Sequence, residues 1–188
     1  MILIDLFLLR DTPYRYAAEN PRSPIWIPFL LILSGLVYGL LVAVFQRLVG
    51  AEIHGIQARE ISLSILYGGN ILSGIFVAFI FHGGVTLILW LMAKGVGGPG
   101  HLALLYRSSA FLLPLGLPAF PYLAADGLSR GVEEIPYSSS FPLLAVFSLA
   151  LLAGSLFRLY RVSQGVTVLR ALLATFMVFF FCTAVLIL

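Results

Sequence analysis

Hydrophobic positions in this chain run on without alternating. Residues 71–93 form a stretch of 23 without Asp, Glu, Lys or Arg. A helix rising about 1.5 Å per residue crosses a hydrocarbon core of about 30 Å over such a length. Comparable apolar runs occupy residues 27–45, 108–125, 141–157 and 171–188. The pattern predicts an all-α membrane protein, a five-span transmembrane helix bundle forming a single domain over residues 1–188. Residues 1–9 are apolar but too short to span. They read either as a short amino-terminal interfacial helix or as a frayed apolar end.

The segments between the runs differ in character. In residues 11–22, Pro13 suits the first turn of a short helix capped by Thr12, and Asn20-Pro21 ends it. Tyr14, Tyr16 and Trp26 suit the headgroup layer, beside Arg10, Arg15 and Arg22. Residues 46–60 are amphipathic, and either lie on the surface or extend the second span past Gly68-Gly69. A glycine-rich turn occupies 94–100, a loop with Asp126, Arg130, Glu133 and Glu134 covers 126–140, and a basic loop covers 158–170.

Within the spans, small residues and prolines carry the packing information. Gly35 and Gly39 form GxxxG, which lets two helix backbones approach closely, and intrachain packing is the simpler expectation. Ala150 and Gly154 repeat that spacing. Gly83 and Gly84 flank His82 and would admit a neighbouring helix. Pro114, Pro118 and Pro121 each remove a helix donor, so the third span should kink or break inside the bundle. Pro114 and Pro118, four apart, are the candidate hinge on one face. Phe176, Phe179, Phe180 and Phe181 should face lipid, and Cys182 should be a small core or lipid-facing residue.

Composition and charge sharpen this picture. Of the 188 residues 61% are hydrophobic and 10% charged, against about 25% charged in an average soluble domain. A formal charge of +3 is too small to suggest nucleic acid. A single cysteine excludes an intrachain disulfide. Residues 1–9 lack the basic start and cleavage site of a signal peptide. Arg10, Arg15, Arg22, Lys94, Arg107, Arg158, Arg161 and Arg170 fall on one side of a five-span arrangement, and Arg47, Arg59 and Arg130 on the other. The positive-inside rule then predicts a cytoplasmic amino terminus and an outward carboxyl terminus.

Little chemistry converges. Gly95-Val96-Gly97-Gly98-Pro99-Gly100 matches G-x-G-x-x-G, but it follows an apolar helix and contains Pro99, so it reads as a turn and not a dinucleotide fingerprint. His54, His82 and His101 share no helical metal spacing, and no Ser/His/acid set converges. No catalytic residue, cofactor or metal is expected. His82, the twelfth residue of 71–93, is the candidate intramembrane polar site. An unpaired charge at that depth costs several kcal/mol, so a neutral imidazole bonded inside the bundle is expected, with carbonyls freed by Pro114 or Pro118 as acceptors. A proton-coupled or ligand-binding role is the alternative.

Three stretches together resemble a known family. The segment from Thr12-Pro13-Tyr14-Arg15-Tyr16 through Glu19-Asn20-Pro21 resembles the amino-terminal signature of short prokaryotic YIP-domain proteins, relatives of the Rab-GTPase-interacting membrane proteins. Gly97-Gly98-Pro99-Gly100-His101, leading through Tyr106-Arg107-Ser108-Ser109-Ala110 to Pro114, resembles the family's second cytoplasmic loop and third span. Tyr160-Arg161-Val162, Gly165-Val166-Thr167 and Arg170-Ala171 resemble its last loop. The resemblance implies five spans, a cytoplasmic amino terminus and no catalytic residue. The longer amino-terminal region of the eukaryotic members is not matched, so Rab binding is not carried over. The expected function is that of a non-enzymatic integral membrane protein of a prokaryotic cytoplasmic (cell inner) membrane. It would bind partners or shape the bilayer, in contact with other membrane proteins or as a homo-oligomer. The alternatives are a transport or permease component and a scaffold subunit of a larger membrane complex.

Overall fold

The computed structural model describes residues 2–129 and 140–187. Its helices, in order, are α1 Ile2–Phe7, α2 Thr12–Glu19, α3 Trp26–Val49, α4 Leu63–Gly95, α5 Leu102–Ser109, α6 Leu113–Gly116, α7 Phe120–Ser129, α8 Ser140–Gln164 and α9 Val168–Ile187. Two short strands, β1 Glu52–Ile53 and β2 Ile56–Gln57, pair antiparallel. Four helical stretches are long and apolar enough to cross a membrane: Ser23–Val49, Leu63–Gly95, Leu102–Leu128 and Ser140–Gln164. The protein is therefore an all-α integral membrane protein. The fifth predicted span falls in α9, whose apolar stretch Val168–Ala184 is shorter. Phe76, Ile80, Phe81, Phe176 and Phe180 are exposed, as a lipid-facing surface requires. Phe181 joins them, while Phe179 is only half-exposed.

The helices outrun the apolar runs because polar residues form their end turns. Residues 158–164, expected as loop, are the last turns of α8, where long arginine stems can reach toward the headgroups. Residues 46–60 divide. Gln46–Val49 finish α3, α4 begins at Leu63 and passes Gly68-Gly69, and a hairpin lies between them. His54 (φ 52°) and Gly55 (φ 82°) make its two-residue turn, as a primed turn demands. Two residues per strand leave too short a period for the sequence to announce it. Arg59 then covers the end of α3, its Nη2 donating to the Leu48 carbonyl at 2.7 Å.

Near the amino terminus, α2 follows Asp11 and not Thr12 as its N-cap, without a side-chain capping bond. Tyr14, expected in the headgroup layer, is fully buried. Its phenol is pushed well above its ordinary range by desolvation, and Asp11 adds to this. Ser155 stands close enough to act on the phenol, yet among the described residues neither hydroxyl meets a partner in hydrogen-bond geometry.

The proline-rich third span is not broken. Three-ten turns at Ala110–Leu112 and Leu117–Ala119 join α5, α6 and α7 into one helical run. Pro114, Pro118 and Pro121 are each the second residue of a new segment, where no N–H is required. Asp126 lies in α7; Arg130, Glu133 and Glu134 fall outside the described residues.

Two compact units emerge: Met1–Leu30 with Ile80–Leu115 and Ala150–Leu188, and Leu31–Phe79 with Gly116–Leu149. The second contains the glycine crossing of α3 and α4. A Cβ at Gly35 would lie 2.7 Å from the Gly74 carbonyl oxygen, and one at Gly39 2.7 Å from Ile71 Cα. Intrachain GxxxG packing is thus observed, with Gly74 as the facing small residue. Beside it, Asn70 Nδ2 donates to Gln46 Oε1 and to the Leu66 carbonyl, both at 2.8 Å.

Candidate functional site

The first unit holds the polar groups of the spans. His82, Thr86, Leu89 and Ala93 are buried at spacings of four, three and four, one stripe along α4. Thr86 Oγ1 donates to the His82 carbonyl at 2.8 Å and lies 3.0 Å from Ser109 Oγ. Each hydroxyl has one proton. With that of Thr86 spent on the backbone, Ser109 is the donor between the two. Its alternative acceptor is the Tyr106 carbonyl at 3.4 Å.

At the start of the three-ten turn the Ala110 N–H turns to the Ser108 carbonyl. The His82 imidazole stands near the Tyr106 carbonyl, and its ring packs against the Tyr106 ring with centroids 4.6 Å apart. The carbonyls expected at Pro114 and Pro118 do not meet its Nε2. His82 is 2% exposed. Its Nε2 has no partner among the described residues, nor has the buried Ser108 Oγ. Ser108 and Ser109, expected as ordinary polar residues at a span entrance, are buried members of this seam.

Other expected packing residues divide. A Cβ at Gly83 or Gly84 would meet nothing within 4 Å, so these glycines make no close helix contact. Ala150 is exposed. Gly154 does pack, but against Leu9, whose Cδ1 a Cβ there would approach to 2.8 Å. Its partner is the amino-terminal segment and not another span.

The glycine-rich turn has a definite construction. The Gly98 N–H bonds to the Ala93 carbonyl at 2.8 Å and the Gly97 N–H to Lys94 at 2.9 Å, with Gly97 at φ 76°. This is a Schellman cap closing α4, and the amides that a phosphate would need are spent on it. Trp90 Nε1 donates to the Gly100 carbonyl at 2.9 Å, and the His101 N–H donates to Gln164 Oε1 at 3.1 Å. Deeper in, Tyr160 Oη donates to the Leu89 carbonyl at 3.0 Å. Among the described residues no group of three His, Cys, Asp or Glu could hold a metal ion. Cys182 is exposed on α9.

No family model matches the chain, no curated protein matches it, and no solved structure matches it.

Proposed function

We propose that this is a non-enzymatic, five-span membrane protein of the YIP-domain kind, which organises the bilayer or binds partners within it. The mid-depth polar groups carry this proposal: His82, Thr86, Tyr106 and Ser109 are spent largely on one another, which suits a locked scaffold. The α4 face turned away from them is apolar and exposed, so what it offers is surface for lipid or for another membrane helix.

The fifth span is α9, with a cytoplasmic amino terminus and an outward carboxyl terminus in a prokaryotic cytoplasmic membrane. Charge supports that orientation. The unit of Met1–Leu30, Ile80–Leu115 and Ala150–Leu188 holds eight Lys and Arg against three Asp and Glu, a net of +5. The other unit holds three against five, a net of −2. Partners are lipid and other membrane proteins or further copies of the chain.

A transport role is the second reading, favoured by the unpartnered Nε2 of His82 beside a span with three-ten turns. Purification in mild detergent with mass spectrometry of what co-elutes separates the two. Stoichiometric membrane-protein partners are expected; a lone homo-oligomer carrying a bound solute would favour transport.

A further inference from the structure

At the amino-terminal end of the first unit, Leu8, Leu9, Arg10, Asp11, Thr12, Arg15 and Arg158 line an open cleft of about 430 Å³. Its construction begins in the backbone. The Arg10 N–H bonds back to the Asp5 carbonyl at 2.9 Å, and Leu9 takes the left-handed conformation at φ 53°. That turn seats the Leu9 side chain on Gly154, one helical turn before Arg158 on the same face of α8. Arg10 and Arg158 are thus brought to one hollow by a contact for which Gly154 leaves room.

The charge in the hollow is not balanced. Arg10 Nη1 pairs with Asp5 at 2.9 Å and Arg158 Nη1 with Asp11 at 3.2 Å. Two carboxylates answer two guanidiniums. Among the described residues the exposed Arg15 guanidinium has no such partner. Because Asp11 turns to Arg158, its side chain does not cap α2, and the first turn of that helix, at Thr12, borders the cleft.

Apolar surface adjoins these charges. Leu8 is a cleft wall and is 57% exposed, and Ile4 and Phe7 on α1 are exposed as well. Arg158 directly follows the uncharged run 141–157 on α8, where an apolar span gives way to the headgroup layer. A surplus guanidinium, two more beside it and an apolar wall at that depth match the two ends of one kind of molecule.

We propose that this cleft binds the phosphate of an anionic phospholipid, held by Arg15 with Arg10 and Arg158, with its acyl chain along Leu8 and the exposed face of α1. The site deepens the bilayer-organising role and rests on it only in requiring that α8 lie in the membrane. A free phosphate shares the headgroup chemistry but makes no use of the apolar wall.

Native mass spectrometry of the full-length protein, titrated in detergent with phosphatidylglycerol, phosphatidylcholine or inorganic phosphate, tests this. One phosphatidylglycerol should be retained more tightly than phosphatidylcholine. Arg15→Gln should weaken it about fivefold, the equivalent of about 1 kcal/mol for one basic residue near a membrane surface. Arg15→Lys should restore most of that loss, and Arg22→Gln, outside the cleft, should leave affinity unchanged. Equal retention of the two lipids would overturn the proposal. So would an Arg22→Gln loss as large as that of Arg15→Gln, which marks diffuse attraction, or inorganic phosphate binding as tightly as lipid. Circular dichroism on each variant ensures that these comparisons are made on folded protein. If lipid selectivity fails while partners still co-elute stoichiometrically, the cleft alone is lost and the organising role stands.

Discussion

His82 is held where an imidazole is costly unless it is neutral and bonded. The Tyr106 carbonyl stands near the imidazole and the Tyr106 ring packs on it. His82→Asn retains hydrogen-bonding capacity in this polar seam, whereas His82→Leu removes it, at a cost of about 1–3 kcal/mol. Thermal unfolding in detergent should show the larger loss for Leu, with function surviving in Asn. Both variants folded and inactive would point to a titrating or ligand-binding histidine instead. Tyr14 makes the opposite case, since its buried hydroxyl has no partner in hydrogen-bond geometry among the described residues. Tyr14→Phe should be neutral or stabilise by up to about 1 kcal/mol. It should also change the alkaline limb. The folded-state phenol titrates above its unfolded value, so its contribution is complete below about pH 10 and is lost as pH rises from there. Stability measured from pH 8 to 11 should therefore fall more steeply in the wild type than in Tyr14→Phe. The depth of His82 was legible in its place at the centre of an uncharged run. Its neighbour was not, because the Tyr106 ring reaches it from a different helix. The cleft at Arg15 was equally hidden, since it depends on Leu9 meeting a glycine far along the chain.

At the scale of the elements, the glycines of α3 and α4 separate into those that touch and those that do not. Gly35, Gly39 and Gly74 meet backbone, which cannot rotate away as a side chain can. Gly39→Ala should cost about 1–3 kcal/mol as an overpacked contact, while Gly83→Ala and Gly84→Ala should be neutral or mildly stabilising, because a Cβ there meets nothing and alanine favours helix. Unfolding midpoints in one detergent would rank all three. Pro114→Ala with Pro118→Ala should likewise change stability by less than about 1 kcal/mol, since both prolines stand where no N–H is needed. Loss of activity in that folded double variant would favour transport. The apolar runs announced the helices because hydrocarbon tolerates little else, and GxxxG announced a close crossing. Their ends were not announced: Gln46, Arg158 and Arg161 look like loop residues, yet continue helices whose end turns reach the interface. Gly83-Gly84 shows the converse, small residues at mid-span that face open space.

For the whole molecule, four helices establish membrane integration, while the fifth span and the direction of insertion rest on α9 and on charge. Eight Lys and Arg on one side of a five-span arrangement against three on the other is the asymmetry from which the proposed topology is read, and it was legible in the sequence because arginine placement needs no tertiary structure. What the molecule binds was not, since lipid-facing surface looks alike whether it meets lipid or another protein. Reporter fusions after Gly100, after Gly165 and after Leu188, read for cytoplasmic and for external activity, test the proposed topology. Five crossings with the amino terminus inside place the first two in the cytoplasm and the third outside. A fusion after Leu188 active only in the cytoplasm would contradict it.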